Sequence, residues 1–363
     1  MKEILLKNCA KYPQMQVQDA VKLLYQSEFG GGHMISDIGK SLDRICEESL
    51  KNASQFDKDR QKSINYKSEP YEFIGNGICR IYLSALDDGL RPETLNQMFV
   101  WTAKHKTGTV AGFERKLEVL LDCCRSGELS WSVEEVQRYL SAYKMQGYPA
   151  VSHSDVYRET YQPSYRVVDE KFVRYYPVIL EIDRALMRAE KVVAAGKPLT
   201  VSIDGMCGAG KSTLGSLLSQ IYDCNLFHMD DFFLRSEQRT SQRYAEAGGN
   251  IDYERFKEEV LDHLSDPDGL TYQVFDCGKR ALGERRHVPY KSLNVIEGSY
   301  SQHPYFGEVY DLKFFCGIEP KEQLRRIERR NGRAMLEMFQ SQWIPMENQY
   351  LETFKIQEKS IMA

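Results

Sequence analysis

Three observations predict an α/β chain in which a mostly α-helical domain, residues 1–168, precedes a parallel sheet flanked by helices, residues 169–363. The first is VSIDGMCGAGKST from Val201 to Thr213: a short β-branched run, a glycine turn, then Leu214, Leu217, Leu218 and Ile221 on one helical face. The second is alternation beyond it, where Leu226–Met229, Tyr272–Phe275, Leu293–Ile296 and Leu312–Phe315 are separated by helix-length segments. The third is the first 168 residues, where apolar positions repeat at helical spacing and no alternating strands or repeats stand out.

The glycine turn carries the first functional signal. Gly205, four intervening residues, Gly210, Lys211 and Ser212 have the spacing of a phosphate-binding loop, between a strand and a helix as that loop requires. Gly205, Gly208 and Gly210 let the backbone curl so that the amides of Cys207, Gly208, Ala209, Gly210, Lys211, Ser212 and Thr213 face one anion. The helix N-terminus favours negative charge at the same point. Lys211 supplies a mobile positive charge for the outer phosphates, and the Ser212 hydroxyl is a ligand for Mg²⁺. ATP and Mg²⁺ are the expected cofactors. The helix terminus also lies beside Cys207, which is either a thiol of lowered pKa, sensitive to alkylation or oxidation, or a small residue that fits the loop.

Composition narrows the class. At 363 residues two domains are expected, and 42% hydrophobic with 28% charged residues describes a soluble protein. A net charge of -4 argues against a nucleic-acid coat. No apolar run approaches the ~18 residues of a membrane span. The apolar segment in MKEILLKNCAKYP is short for a secretory signal, so the cytoplasm is the default location. Nine scattered cysteines, with no C-x-x-C pair, suit neither a zinc site nor a disulfide framework, and Cys123 and Cys124 read as core. A homo-oligomer is compatible with all of this.

In the first domain, Val17, Ala20, Val21 and Leu24 form a stripe that stops at Gly30, Leu117 to Leu121 leads to Gly127, and Val133 to Leu140 precedes Gly147. Two stretches stand apart. Glu28-Phe29-Gly30-Gly31-Gly32-His33 sets an acid and a histidine around three glycines, and Val151–Val168 gathers His153, Tyr157, Arg158, Tyr161, Tyr165 and Arg166. They are a helix stop and an aromatic linker, or a separate ligand site.

The second domain carries acids at strand ends, where ligands of parallel sheets bind. Leu226–Met229 runs into Asp230-Asp231, and Asn294-Val295-Ile296 into Glu297. One carboxylate beside a triphosphate holds Mg²⁺, and one beside the acceptor hydroxyl takes its proton. Asp252, after Gly248-Gly249-Asn250-Ile251, either caps the next helix or binds acceptor hydroxyls. The polar run from Asp276 to His287 reads as a flap or hairpin over the acceptor. Lys321–Arg333 is a basic helix with Leu324 and Ile327 inward, either solvated or a lid closing on the migrating phosphoryl group.

The order GMCGAGKST, HMDDFFL, GGNIDYERF, VFDCGKR, VIEGSY and RRIERRNGR, over roughly residues 195–335, resembles the uridine kinase and phosphoribulokinase branch of P-loop kinases. The resemblance implies ATP- and Mg²⁺-dependent phosphoryl transfer to a small-molecule hydroxyl. It implies Lys211 on the nucleotide phosphates, and Ser212, Asp230 and Glu297 at the metal with Asp230 as general base. Asp252 would hold the acceptor hydroxyls. Arg325 and Arg329 would act from the lid, and Arg330 there would bind acceptor. Where uridine kinases carry a pyrimidine-reading tyrosine and histidine, this chain has Phe275 and no histidine in register, and Lys279 with Arg280 suits an anionic acceptor. The expected acceptor is a nucleoside, a sugar acid or another polyol. Competing functions are a nucleotide-dependent switch with the helical half as partner module, and a bifunctional enzyme with a second site in residues 1–168.

Overall fold

The computed structural model describes residues 1–56, 69–191 and 197–363. They form two compact units, Met1–Tyr176 and Pro177–Ala363. The boundary at 168/169 expected from sequence falls within the strand Tyr165–Asp169 of the first unit.

The first unit is mostly helical: α1 (Lys2–Lys11), α2 (Val17–Phe29), α3 (Ile38–Phe56), α4 (Pro92–His105), α5 (Val110–Arg125), α6 (Val133–Met145), α7 (Asp155–Tyr161) and α8 (Glu170–Arg174). Thr109, Ser132 and Ser154 start α5, α6 and α7, each accepting the amide three residues on. The expected stripe of α2 is fully buried at Ala20, Val21 and Leu24, against Phe113, Leu117, Leu120 and Cys123. Each such Leu or Phe contributes roughly 2–3 kcal/mol by leaving water.

An all-helical reading of this unit is incomplete. β1 (Tyr71–Gly75), β2 (Ile78–Tyr82) and β3 (Tyr165–Asp169) make an antiparallel sheet in that order. β2 is buried on both faces from Ile78 to Ile81, so its sequence shows no alternation. The local signal is Asn76-Gly77, where both residues take positive φ (55° and 74°), as a tight hairpin turn requires.

The second unit opens with α9 (Tyr176–Lys191) and is built on a five-stranded parallel sheet. β4 (Leu199–Gly205) leads through the glycine loop to α10 (Lys211–Ile221) and β5 (Asn225–His228). α11 (Ser241–Ala245), α12 (Tyr253–Glu259) and the strands β6 (Leu270–Asp276) and β7 (Ala281–Val288) precede β8 (Leu293–Glu297) and β9 (Leu312–Cys316). The chain ends in α13 (Pro320–Asn331), α14 (Arg333–Met338), a π-helical turn at Phe339–Trp343, α15 (Ile344–Phe354) and β10 (Ile361–Met362). Sheet order is β10-β9-β4-β8-β5. β4 is buried along its whole length, which explains its β-branched composition.

One expected strand lies elsewhere. Tyr272–Phe275 belongs to β6, which pairs antiparallel with β7 in a separate two-stranded ribbon. The polar run after it is the hairpin that the sequence suggests. Among the described residues, no helix is long and apolar enough to cross a membrane.

Candidate functional site

Sheet register brings the site together. β8 lies between β4 and β5, pairing Glu297 with Ile203 on one side and with His228 on the other. The glycine loop, Glu297 and the Asp230 segment therefore leave the sheet at one level, at the C-terminal strand ends. Gly215 lets α10 approach, since a Cβ there would lie 3.1 Å from the Glu297 side chain.

In the loop, Gly205, Gly208 and Gly210 take φ values of 132°, 76° and 107°, which side chains resist. The first-turn amides of Lys211, Ser212 and Thr213 have no carbonyl behind them, as at any helix start. That arrangement fits a polyphosphate. Lys211 is buried, with Nζ donating to the carbonyls of Gly205 (2.6 Å) and Met206 (3.1 Å). Ala209 donates its amide to Met206 O and closes the turn.

The Ser212 hydroxyl donates to Glu297 Oε2 at 3.1 Å, and His228 Nδ1 lies 2.6 Å from Glu297 Oε1. That bond raises the His228 pKa. The two neighbouring aspartates separate cleanly. Asp231 is held by the Tyr272 hydroxyl (3.1 Å) and Arg286 (3.3 Å), whereas Asp230 has no hydrogen-bond partner among the described residues. Asp230 reaches solvent, yet the protein around it desolvates its carboxylate and raises its pKa. Repulsion from Glu297 acts in the same direction, and Lys211 and His228 oppose it.

Asp252 caps α12 through Oδ1, which accepts the Arg255 amide at 3.3 Å. Its Oδ2 is buried without a hydrogen bond, 3.5 Å from Arg255 Nε and 3.7 Å from Arg235 Nε. The cap accounts for one oxygen, and the other lies between two guanidinium groups without a hydrogen bond. Phe275 is buried against Phe233, with Arg239 5.7 Å over its ring. Lys279 and Arg280 sit in the turn between β6 and β7, where Lys279 is exposed and pairs with Asp276. No contact joins either to Asp230 or Asp252.

The basic helix divides in the same way. Arg325 is exposed and bound to Glu322, and Arg329 and Arg330 are exposed, with Arg330 on Asn331. The side chains of α13 that touch the loop are others. Arg326 donates to Gly208 O at 3.3 Å, and Gln323 to Cys207 O at 3.0 Å. The expectation of a reactive Cys207 fails: burial, with repulsion from Glu347, pushes its thiol up to about 12.

Asp204, unmarked by any motif spacing, is fully buried beneath the loop. It accepts the amides of Gly205 (2.7 Å), Tyr300 (3.2 Å) and Gln302 (2.9 Å) and the Tyr350 hydroxyl (2.7 Å). Desolvation raises its pKa to about 6. The folded chain thus holds this proton more tightly than the unfolded one, so its stabilising effect is present below about pH 4 and lost as pH rises through 6. Asp204→Asn is expected to gain stability relative to the parent by about 2–3 kcal/mol between pH 4 and pH 7. A difference in melting temperature that does not change with pH would exclude titration of Asp204 in that range.

In the first unit the residues of the two unusual stretches have partners of their own. Glu28 accepts the Thr109 amide (3.0 Å) and pairs with Lys116 (2.9 Å), closing the start of α5. His33 is exposed, edge-on to Tyr25. His153 bridges Asp19 (2.9 Å) and the Tyr165 hydroxyl (2.7 Å), and burial lowers its pKa to about 4. His153 also stacks on Tyr157, which packs on Tyr161, whereas Arg158 pairs with Asp155 and Arg166 with Glu48.

Comparison with known proteins adds a family match within the second unit. Residues 207–285 match the shikimate kinase family model. Among solved structures, 49% of this chain covers 95% of a possible uridine kinase from Bacillus stearothermophilus, at 19% identity and a TM-score of 0.37. A candidate fructose transport system kinase from Silicibacter sp. TM1040 is covered to 93% by 47% of the chain, at 20% identity and a TM-score of 0.38. No curated protein matches the sequence. The matched residues lie within a unit built on a five-stranded parallel sheet flanked by helices, with the glycine loop between β4 and α10.

Proposed function

We propose that the second unit is an ATP- and Mg²⁺-dependent phosphotransferase that moves the γ-phosphoryl group to a hydroxyl of a small molecule. The observation that carries this reading is the convergence of the phosphate loop with Ser212, Glu297 and an unpartnered Asp230 at one edge of the sheet. Lys211 and the amides from Cys207 to Thr213 would hold the phosphates. Ser212, Glu297 and Asp230 would share the cation with phosphate oxygens. Mg²⁺ sites of this kind need only one or two protein carboxylates. When bound, the ion offsets charge on the transferring group.

Asp230 would take the acceptor proton. A carboxylate with a raised pKa is a better base than an ordinary aspartate, provided it is ionised at the working pH. Asp252 Oδ2 would fix the acceptor through its hydroxyls, beside the wall made by Phe275. Lys279, Arg280, Arg325, Arg329 and Arg330 would reach the acceptor or the phosphoryl group only by closure of the hairpin and of α13, while Arg326 already touches the loop. The shikimate kinase match supports a small hydroxyl-bearing acceptor, for which a polyol, sugar acid or nucleoside would serve, and the cytoplasm would be the place of action. The first unit would fold and act as a separate module.

The test is ADP release from Mg-ATP by the whole chain, with and without nucleosides, polyols and sugar acids. One class should raise turnover at least about tenfold over water. Asp252→Ala should then raise the KM for that acceptor by about 10- to 100-fold, since a buried hydrogen bond to a charged group contributes about 1.5–3 kcal/mol. Nucleotide binding with no acceptor-dependent product would sink the kinase reading in favour of a switch.

A further inference from the structure

A buried carboxylate reaches the loop from the far end of the chain. Glu347, on α15, is 3% exposed, and its Oε2 accepts the amide of Cys207 at 2.7 Å. Its Oε1 accepts the Ser299 hydroxyl. No lysine, arginine or histidine lies within ion-pair distance of it among the described residues. Lys211 is turned instead to the carbonyls of Gly205 and Met206. One turn further on the same face, Tyr350 donates to Asp204 under the loop. A buried anion without a cation is costly, and here main-chain and hydroxyl donors alone offset that cost.

The Cys207 amide belongs to the set that the loop offers to an anion. A carboxylate oxygen at 2.7 Å holds it in the manner of a phosphate oxygen. We propose that Glu347 competes with the nucleotide's phosphates for this amide and so sets nucleotide affinity. The inference rests on the nucleotide-binding reading of the loop. Two negative groups cannot share one amide at close range without repulsion, so phosphate entry must displace Glu347. Such displacement also loosens α15, which continues from the arginine-bearing α13 through α14 and the turn at Phe339–Trp343. Glu347 thereby links occupancy of the loop to the segment that carries Arg326.

Calorimetric titration of the whole chain with Mg-ATP distinguishes this from a purely structural clamp. Glu347→Gln keeps the shape and an oxygen for the Cys207 amide but removes the charge. It should bind Mg-ATP at least about tenfold more tightly than the parent. Ser299→Ala, which frees one carboxylate oxygen, should shift affinity the same way by a smaller factor. It also keeps the test open should Glu347→Gln fold poorly. Equal or weaker binding by both variants, with the parent binding normally, would overturn the competition. Should neither parent nor variants bind Mg-ATP, the kinase reading falls first and this one with it.

Discussion

Asp230→Asn is expected to lower turnover by about 10²- to 10⁴-fold while leaving the Kd for Mg-ATP within about threefold. The substitution keeps size and removes only the ability to accept a proton and to stand as a negative charge beside the metal. Asp231 provides the contrast. Its carboxylate is occupied by Tyr272 and Arg286, so Asp231→Asn should act mainly on stability through the β6–β7 ribbon. Initial rates with a saturating acceptor, and calorimetry on the same preparations, measure both arms. Undiminished turnover in Asp230→Asn would remove that residue from the chemistry, and a larger loss in Asp231→Asn would reverse the assignment.

Gly205→Ala is expected to cost at least ~4 kcal/mol and to leave little folded second unit. A Cβ there would lie 2.1 Å from the Cys316 carbonyl oxygen and 2.7 Å from its nitrogen, both main-chain atoms of β9. Relief requires parting β4 from β9 where Met206 N bonds Cys316 O at 3.0 Å. The residue also sits at a φ of 132°, outside the usual range of an alanine. Gly208→Ala is the control: its φ is also positive, but its nearest neighbours are 3.6 Å away or more, so about 1–2 kcal/mol is expected. Denaturant unfolding of parent and variants reads the difference. Near-equal losses at the two glycines would mean that the β4–β9 contact yields more easily than its geometry implies.

The parts of the fold that could be read from sequence are those whose physics is local. β4, β8 and β9 are short apolar runs because a parallel sheet covered by helices buries both faces. The loop is legible because backbone curvature demands glycine at fixed intervals. β6 carries the same apolar content, but its partner β7 follows across a short turn, and local pairing takes it out of the sheet. β2 is hidden because a strand buried on both faces shows no period of two, and it contains Arg80, which Gln26 satisfies.

Within the site, Asp230, Asp252 and Glu297 announce themselves by standing at strand or helix ends. Asp204, next to last in β4, and Glu347, in the first turn of α15, also stand at element ends, but what holds them is distant in sequence. Their partners lie 96–146 and 140 residues away for the Tyr300, Gln302, Tyr350 and Cys207 contacts, so no window of sequence contains the interaction. Arg326 and Gln323 are obscured differently. Five basic residues in α13 look alike until packing of Ile327 fixes which of them turns toward Gly208.

Placing β4 between β8 and β9 has a bearing on how the chain is made. The central strand leaves the ribosome well ahead of both neighbours, since Leu293 follows Gly205 by roughly 90 residues, or ~5–20 s of translation. Through that interval the phosphate loop has no edge to lean on and cannot hold its curvature. Until Leu293 and Leu312 have followed, the glycine loop lacks both strands between which β4 is held.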